Sequence, residues 1–202
     1  MKIEVVSDVV CPWCYIGKRR LEKALALIPE IKPDIHWLPF QLNPEMPREG
    51  IARADYRKAK FGSVERGRQL DARVAAEGKG EGIAFAFDRM QRTPNTVAAH
   101  RLIALAQKQG AGQKVVDALF KAYFEDAEDV GDPAVLERIA AENRVSGWPR
   151  DADEKEVAGL EASMRGLGIS AVPTFLFDRK FGVSGAHPPE SLAEAIREAA
   201  AK

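Results

Sequence analysis

Apolar and polar positions alternate through Lys2-Ile3-Glu4-Val5-Val6-Ser7, which predicts a short strand over residues 2–7. The period then changes. Counting forward from Cys14, Leu21, Leu25 and Ile28 recur at i+7, i+11 and i+14, which predicts a helix from Pro12 to Ile28 that is stopped by Pro29. Ile35 to Leu42 is rich in β-branched and aromatic residues and reads as a second strand; Pro39 within it points to a sheet edge or a strand end. These three elements make a βαβ unit, and Pro44 and Pro47 break the chain after it.

From about Ala52 to Gly168 the periodicity is helical. A charged segment runs from Tyr56 through Val74, its charges reading as a solvated face, and Gly78-Lys79-Gly80-Glu81-Gly82 breaks it. Thr93-Pro94 reads as N-cap and first-turn proline of a helix carrying Leu102, Ile103 and Leu105. Val115, Leu119 and Tyr123, with Val116, Phe120 and Phe124, mark the next; at that spacing the aromatic rings belong to a core. Asp132-Pro133 caps another, and Val157, Leu160, Met164 and Leu167 mark the last, ended by Gly168. The expectation is a block of four or five helices. Beyond it, Thr174–Phe177 and Phe181–Ser184 flank a turn at Asp178-Arg179-Lys180 and predict a β-hairpin. A closing helix follows from Pro188-Pro189 through Leu192, Ala195, Ile196 and Ala199. No internal repeat at solenoid periods is present.

The chemistry concentrates at Cys11-Pro12-Trp13-Cys14, which holds both cysteines of the chain. Positions i and i+3 are neighbours on a first helical turn, so the two sulfurs are within reach of each other. Pro12 suits the first helical position, which makes Cys11 the N-cap. A Cys11 thiolate there is placed to accept from the N–H groups of Trp13 and Cys14 at the positive end of the helix dipole. Such surroundings lower a thiol pKa from about 8.5 to roughly 3.5–7.5, and this designates Cys11 as the attacking sulfur. Cys14, on the buried stripe, is then the resolving sulfur. A structural zinc site would need two more ligands, and His36, His100 and His187 stand far apart in the sequence. A permanent structural disulfide across so short a loop would remove little unfolded-state entropy.

Composition narrows the partners. The 202 residues are 46% hydrophobic and 30% charged, with 30 basic and 30 acidic side chains, as in an ordinary globular protein without a footprint for nucleic acid. No stretch has the apolar length needed to span a bilayer. Met1-Lys2-Ile3-Glu4 enters a strand at once with no apolar signal region, so the expected location is cytoplasmic. There, disulfides are chiefly transient, catalytic or redox-sensing.

Pro173 stands immediately before a strand, where a proline must occupy the first residue or a turn. Only about 5–6% of X-Pro bonds in folded proteins are cis, so the default for Val172–Pro173 is trans. A cis bond would turn the Val172 N–H and C=O outward toward an extended substrate.

Several ordered segments carry a family resemblance. They are Asp8-Val9-Val10-Cys11-Pro12-Trp13-Cys14-Tyr15-Ile16-Gly17-Lys18, Pro39-Phe40-Gln41-Leu42-Asn43-Pro44, Asn95-Thr96 with Ala99-His100-Arg101-Leu102, and Gly168-Ile169-Ser170-Ala171-Val172-Pro173-Thr174-Phe175. Together they resemble the DsbA family of thioredoxin-fold oxidoreductases, specifically its FrnE-like branch, over essentially the whole chain. The resemblance implies an α/β thioredoxin fold with a helical domain inserted between its βαβ and ββα halves. The corresponding division is residues 1–46, 47–168 and 169–202. It also implies Cys11 as nucleophile, Cys14 as resolving thiol and a cis Pro173 against the pair. That proline would keep metals off the dithiol, and Pro12, Trp13, Val172 and Pro173 would form a substrate groove under the helical domain.

Kappa-class glutathione transferases and 2-hydroxychromene-2-carboxylate isomerases are similar in layout and bind glutathione, but a serine typically stands where Cys11 stands here. By that resemblance Asn95 and His100 are candidate glutathione or substrate contacts, although a lone helical histidine is more often a structural hydrogen-bonder. The expected activity is thiol–disulfide exchange on a protein or small-molecule substrate. It would use the Cys11–Cys14 disulfide with no bound cofactor, and glutathione is a candidate co-substrate. The alternatives are a glutathione-dependent isomerase or transferase, and a non-enzymatic chaperone or binding module. The CPWC dipeptide looks closer to glutaredoxin's, whose potentials of about −200 to −230 mV lie near the cytosolic glutathione poise.

Overall fold

The protein is described by a computed structural model covering residues 1–201. The chain order is β1 (Lys2–Ser7), α1 (Pro12–Leu27), β2 (Asp34–Pro39), β3 (Ile51–Ala52), α2 (Arg53–Phe61), α3 (Val64–Gly80), β4 (Arg92–Thr93) and α4 (Val97–Lys108). It continues with α5 (Gly112–Phe124), α6 (Pro133–Glu142), α7 (Glu154–Gly166), β5 (Thr174–Phe177), β6 (Phe181–Ser184) and α8 (Pro189–Ala200). The main sheet has the strand order β2-β1-β5-β6, so β1 pairs in parallel with β2 and antiparallel with β5. Val5 thus lies opposite both Trp37 and Phe175, and the first and last segments of the chain share one ladder.

Alternation along β1 supplies both faces of this sheet. Ile3 and Val5 join the larger core with α1, α8 and the helical block, whereas Val6 packs with Leu38, Phe40 and Met164 of α7. Both faces are therefore covered, as expected when a parallel pair lies inside a sheet. Glu4, on the Val6 face, is buried but is held by Arg179 from the β5–β6 turn, with Nε–Oε2 at 2.6 Å and Nη2–Oε1 at 2.9 Å. Asp178 and Arg179 of that three-residue turn both have positive φ (48° and 55°), as the central pair of a type I′ turn closed by the Lys180 N–H to the Phe177 carbonyl at 3.0 Å.

The inserted block contains α2 to α7, and four details depart from the periodicity. Gly62 in a left-handed conformation ends α2 and divides the charged segment into two helices. Helix α3 passes through Gly78 and ends only at Gly80; a Cβ on Gly78 would stand 2.3 Å from the Phe85 ring, so this glycine admits close packing instead of breaking the helix. Thr93 is not an N-cap but part of the short β3–β4 pairing, and the cap of α4 is Thr96. Strand β2 stops at Pro39, three residues early, because Gln41 is captured by α7.

That capture is made by Glu161, a buried carboxylate on α7. Its oxygens accept from the Gln41 backbone N–H at 2.9 Å and side-chain amide at 2.7 Å, and Arg165 Nη2 adds a contact at 2.7 Å. Burial alone would raise the Glu161 pKa, but the Gln41 and Arg165 contacts outweigh it and hold it below the ordinary value. A lowered folded pKa gives stability that is complete above the unfolded pKa and is lost as pH falls through the folded one. Urea unfolding should accordingly show a midpoint that drops as pH falls below about 4.5. Glu161→Gln, already neutral, should flatten part of that drop; an unchanged acid profile in the variant would contradict the assignment.

Candidate active site

Cys11 is the N-cap of α1, with extended backbone (φ −91°, ψ 111°), and Pro12 takes the first helical position. The loop leading to it is closed by a turn in which the Cys11 N–H donates to the Asp8 carbonyl at 3.0 Å. Both cysteines are free and buried, at 5% and 1% exposure, while Trp13 between them is 39% exposed. Two thiols thus lie beneath the surface with one indole standing outside. Burial, and then the neighbouring Cys11 sulfur, push the Cys14 thiol well above the ordinary cysteine range. The Ser7 hydroxyl also contacts the Cys14 sulfur and acts in the opposite direction.

The Cys11 side chain makes no cap hydrogen bond, contrary to the expectation that it would accept from Trp13 and Cys14. A neutral thiol is a weak acceptor, and the Cys14 N–H donates instead to the Cys11 carbonyl at 3.0 Å. The Cys11 Sγ points across the fold and donates to the Val172 carbonyl at 3.8 Å, joining residues 161 positions apart. The Val172–Pro173 peptide is cis, Pro173 is buried and Val172 is half-buried. Thr174 Oγ1 donates to the Ala171 carbonyl at 2.8 Å and the Gly185 N–H to the Pro173 carbonyl at 2.8 Å, which fixes the segment from both sides.

Of the residues singled out in the sequence, Cys11, Cys14, Val172 and Pro173 come together, with Pro12 and Trp13 on the same turn. His100 reaches the site indirectly: buried on α4, its Nε2 lies 3.3 Å from Asp8 Oδ1, without hydrogen-bond geometry. Asn95 is engaged elsewhere, donating to the Met46 carbonyl at 2.7 Å and accepting from the Val97 N–H at 3.0 Å. Asp8 was missed as a functional candidate. It is buried, and its Oδ2 accepts from the Leu42 N–H at 2.8 Å, so one carboxylate joins the loop before Cys11 to the segment after β2. An acidic residue directly after an apolar strand and three before Cys11 is the signal that was available.

The rest of α1 anchors this turn. Tyr15 stacks on Phe120 of α5 with ring centroids 5.0 Å apart, Lys18 is fully buried in ion pairs with Glu22 and with Asp117 of α5, and Arg20 bonds Glu81 at 2.7 Å. Gly17 faces the proline: a Cβ there would be 2.8 Å from Pro173 Cγ and 3.4 Å from Phe175 Cζ.

A dithiol at the start of the first helix, apposed to a proline that leads the antiparallel strand, with helices inserted between the two halves of the sheet, defines a thioredoxin-fold dithiol protein. The chain belongs to the DSBA-like thioredoxin domain family, whose profile matches residues 2–197. A probable DsbA oxidoreductase from Streptomyces coelicolor is similar in structure, with TM-score 0.89 and 31% identity, over 100% of this chain and 91% of that one. The cytosolic disulfide reductase DsbM from Pseudomonas aeruginosa, solved with GSH, shares the fold at TM-score 0.67 and 17% identity, over 98% of this chain and 100% of that one. A 2-hydroxychromene-2-carboxylate isomerase shares it at TM-score 0.71 and 14% identity, over 98% and 95%.

The Gly17–Pro173 approach makes a paired prediction. Alanine gains up to about 1 kcal/mol of helix propensity over glycine, but overpacking typically costs about 1–3 kcal/mol. Gly17→Ala should therefore lower the melting temperature. Gly159→Ala on α7, where a Cβ would meet nothing within 4 Å, should raise it. A Gly17→Ala protein that melts higher than the parent would contradict the packing account.

Proposed function

We propose that the protein is a thiol–disulfide oxidoreductase of protein or small-molecule substrates, with Cys11 as nucleophile and Cys14 as resolving thiol. The observation that carries this reading is the Cys11 Sγ contact to the Val172 carbonyl, with Cys14 buried behind. In the reducing direction the Cys11 thiolate attacks one sulfur of a substrate disulfide, forming a mixed disulfide and expelling the other substrate sulfur as a thiolate. The Cys14 thiol, giving up its proton to the substrate thiolate expelled first, then attacks Cys11 Sγ, closing the Cys11–Cys14 disulfide and releasing the second substrate sulfur as a thiolate. The protein loses two electrons and the substrate gains two. The same steps run backwards oxidise a substrate dithiol.

The raised Cys14 pKa keeps that thiol protonated until the mixed disulfide has formed, so it does not compete as the entering nucleophile. Trp13 gives an exposed apolar surface beside the sulfurs, and the Val172 N–H has no acceptor among the described residues, which suits pairing with an extended substrate chain. Asp8, His100 and Asn95 enter as positioning residues, holding the loop before Cys11 and the wall after β2. Among the described residues no helix is long and apolar enough to cross a membrane. A cytoplasmic setting with glutathione as co-substrate accords with the disulfide reductase solved with GSH.

Replacing each cysteine in turn tests this. Cys11→Ser should lose disulfide exchange by more than about a hundredfold, because a hydroxyl supplies no nucleophile of comparable reactivity at neutral pH. Cys14→Ser should accumulate a mixed disulfide through Cys11, visible as an adduct by mass spectrometry and removed by dithiothreitol. Exchange surviving in Cys11→Ser would overturn the reading. Glutathione-dependent isomerisation of an aromatic carboxylate that persists in Cys14→Ser would favour the isomerase alternative.

A further inference from the structure

Away from the dithiol, α2, α3 and the segment leading to β4 enclose a hollow of about 630 Å³, within the size range of small-molecule sites. None of Cys11, Trp13, Val172 or Pro173 lines it. One wall is apolar, with Phe85 and Phe87 stacked at 4.6 Å between ring centroids and Met90 beside them. The other carries Arg53, Arg57 and Arg68 against the carboxylates of Asp71 and Asp88.

Arg57 has an unusual environment. Its side chain is 8% exposed, and its stem is pinned by Gly67 of α3, where a Cβ would stand 3.0 Å from Arg57 Cδ. Its Nη2 contacts Asp71 without hydrogen-bond geometry, and its Nε has no partner; the Nε of Arg53 is also unpartnered. Arg53 Nη2 meanwhile holds Asp71 Oδ2 at 3.1 Å, with its guanidinium 5.4 Å from the Phe87 ring centroid. Buried guanidinium donors normally find acceptors, and here one carboxylate, Asp71, is shared between two guanidinium groups. Burial, with Arg53 and Arg68 close by, pulls the Arg57 pKa down to about 10. Three guanidinium groups against two carboxylates leave one positive charge in the hollow, which a monoanion neutralises.

We propose that this hollow binds a small organic carboxylate, its anionic group beside the guanidinium groups of Arg53, Arg57 and the exposed Arg68 and its apolar or aromatic body against Phe85, Phe87 and Met90. A planar carboxylate matches the fork of a guanidinium. The adjoining aromatic wall excludes a bare inorganic anion as the best-fitting occupant, because it would leave that surface uncovered.

Calorimetric titration with 1-naphthoate, with the neutral analogue 1-naphthalenemethanol and with inorganic phosphate tests the assignment. Naphthoate should saturate one site, both comparison probes should bind at least about tenfold more weakly, and binding should persist in the Cys11→Ser variant. Arg57→Met should weaken naphthoate at least about tenfold. Arg68→Gln, on an exposed side chain, should weaken it severalfold and serves as the deciding variant if Arg57→Met does not fold. Absence of saturable naphthoate binding, equal binding of either comparison probe, or unchanged affinity in the folded arginine variant would overturn the proposal.

Discussion

The close approach of α1 to Pro173, made possible by the missing side chain of Gly17, is the constraint on which the site depends. It brings a residue near the start of the chain against one near its end, and the dithiol geometry follows from it. The approach is itself enforced by the sheet: β1 lies between β2 and β5, so strands separated by the whole helical insertion must meet before the Cys11 sulfur can face Val172. The apposition of the Cys11 sulfur and Val172 is thus a property of the four-stranded sheet and not of the CPWC turn alone.

The insertion serves this geometry by clamping α1. Tyr15 and Lys18 are held by α5, Arg20 by Glu81 just after α3, and Asp8 lies against His100 of α4. The first half of α1 is therefore fixed by α5 and by the end of α3. The buried ion pair of Lys18 with Asp117 is weak evidence for added stability, since desolvation offsets the attraction, but it specifies how α1 docks on α5. A firmly held α1 lets the two sulfurs differ: Cys11 faces the second half of the site, while Cys14 is sealed beneath.

Much of this was legible in the sequence because it rests on short-range rules. The period change between β1 and α1, Pro12 at the first helical position, Asp132-Pro133 at the start of α6 and the hairpin around Asp178-Arg179 are all local signals, and the structure has each of them. What periodicity missed depends on distant partners. Thr93 has the look of a helix cap but pairs with Ile51, Gly78 has the look of a break but makes room for Phe85, and the end of β2 is decided by Glu161 on α7. The pairing of Asp8 with His100 and the arginine-lined hollow likewise join residues far apart in sequence, so no spacing rule could connect them. The proximity of Cys11 to Val172 was expected only from the family resemblance.

The central claim is that Cys11 and Cys14 form one reversible two-electron couple. Equilibrating the protein in glutathione buffers of graded ratio, quenching with acid and counting free thiols by mass spectrometry tests it most directly. The account predicts a single transition between dithiol and Cys11–Cys14 disulfide, with a midpoint of about −200 to −260 mV, the span of glutaredoxin potentials and the glutathione poise. Replacement of either cysteine should abolish it. A pair that remains two free thiols throughout, or that ends only as glutathione adducts with no internal disulfide, would contradict it.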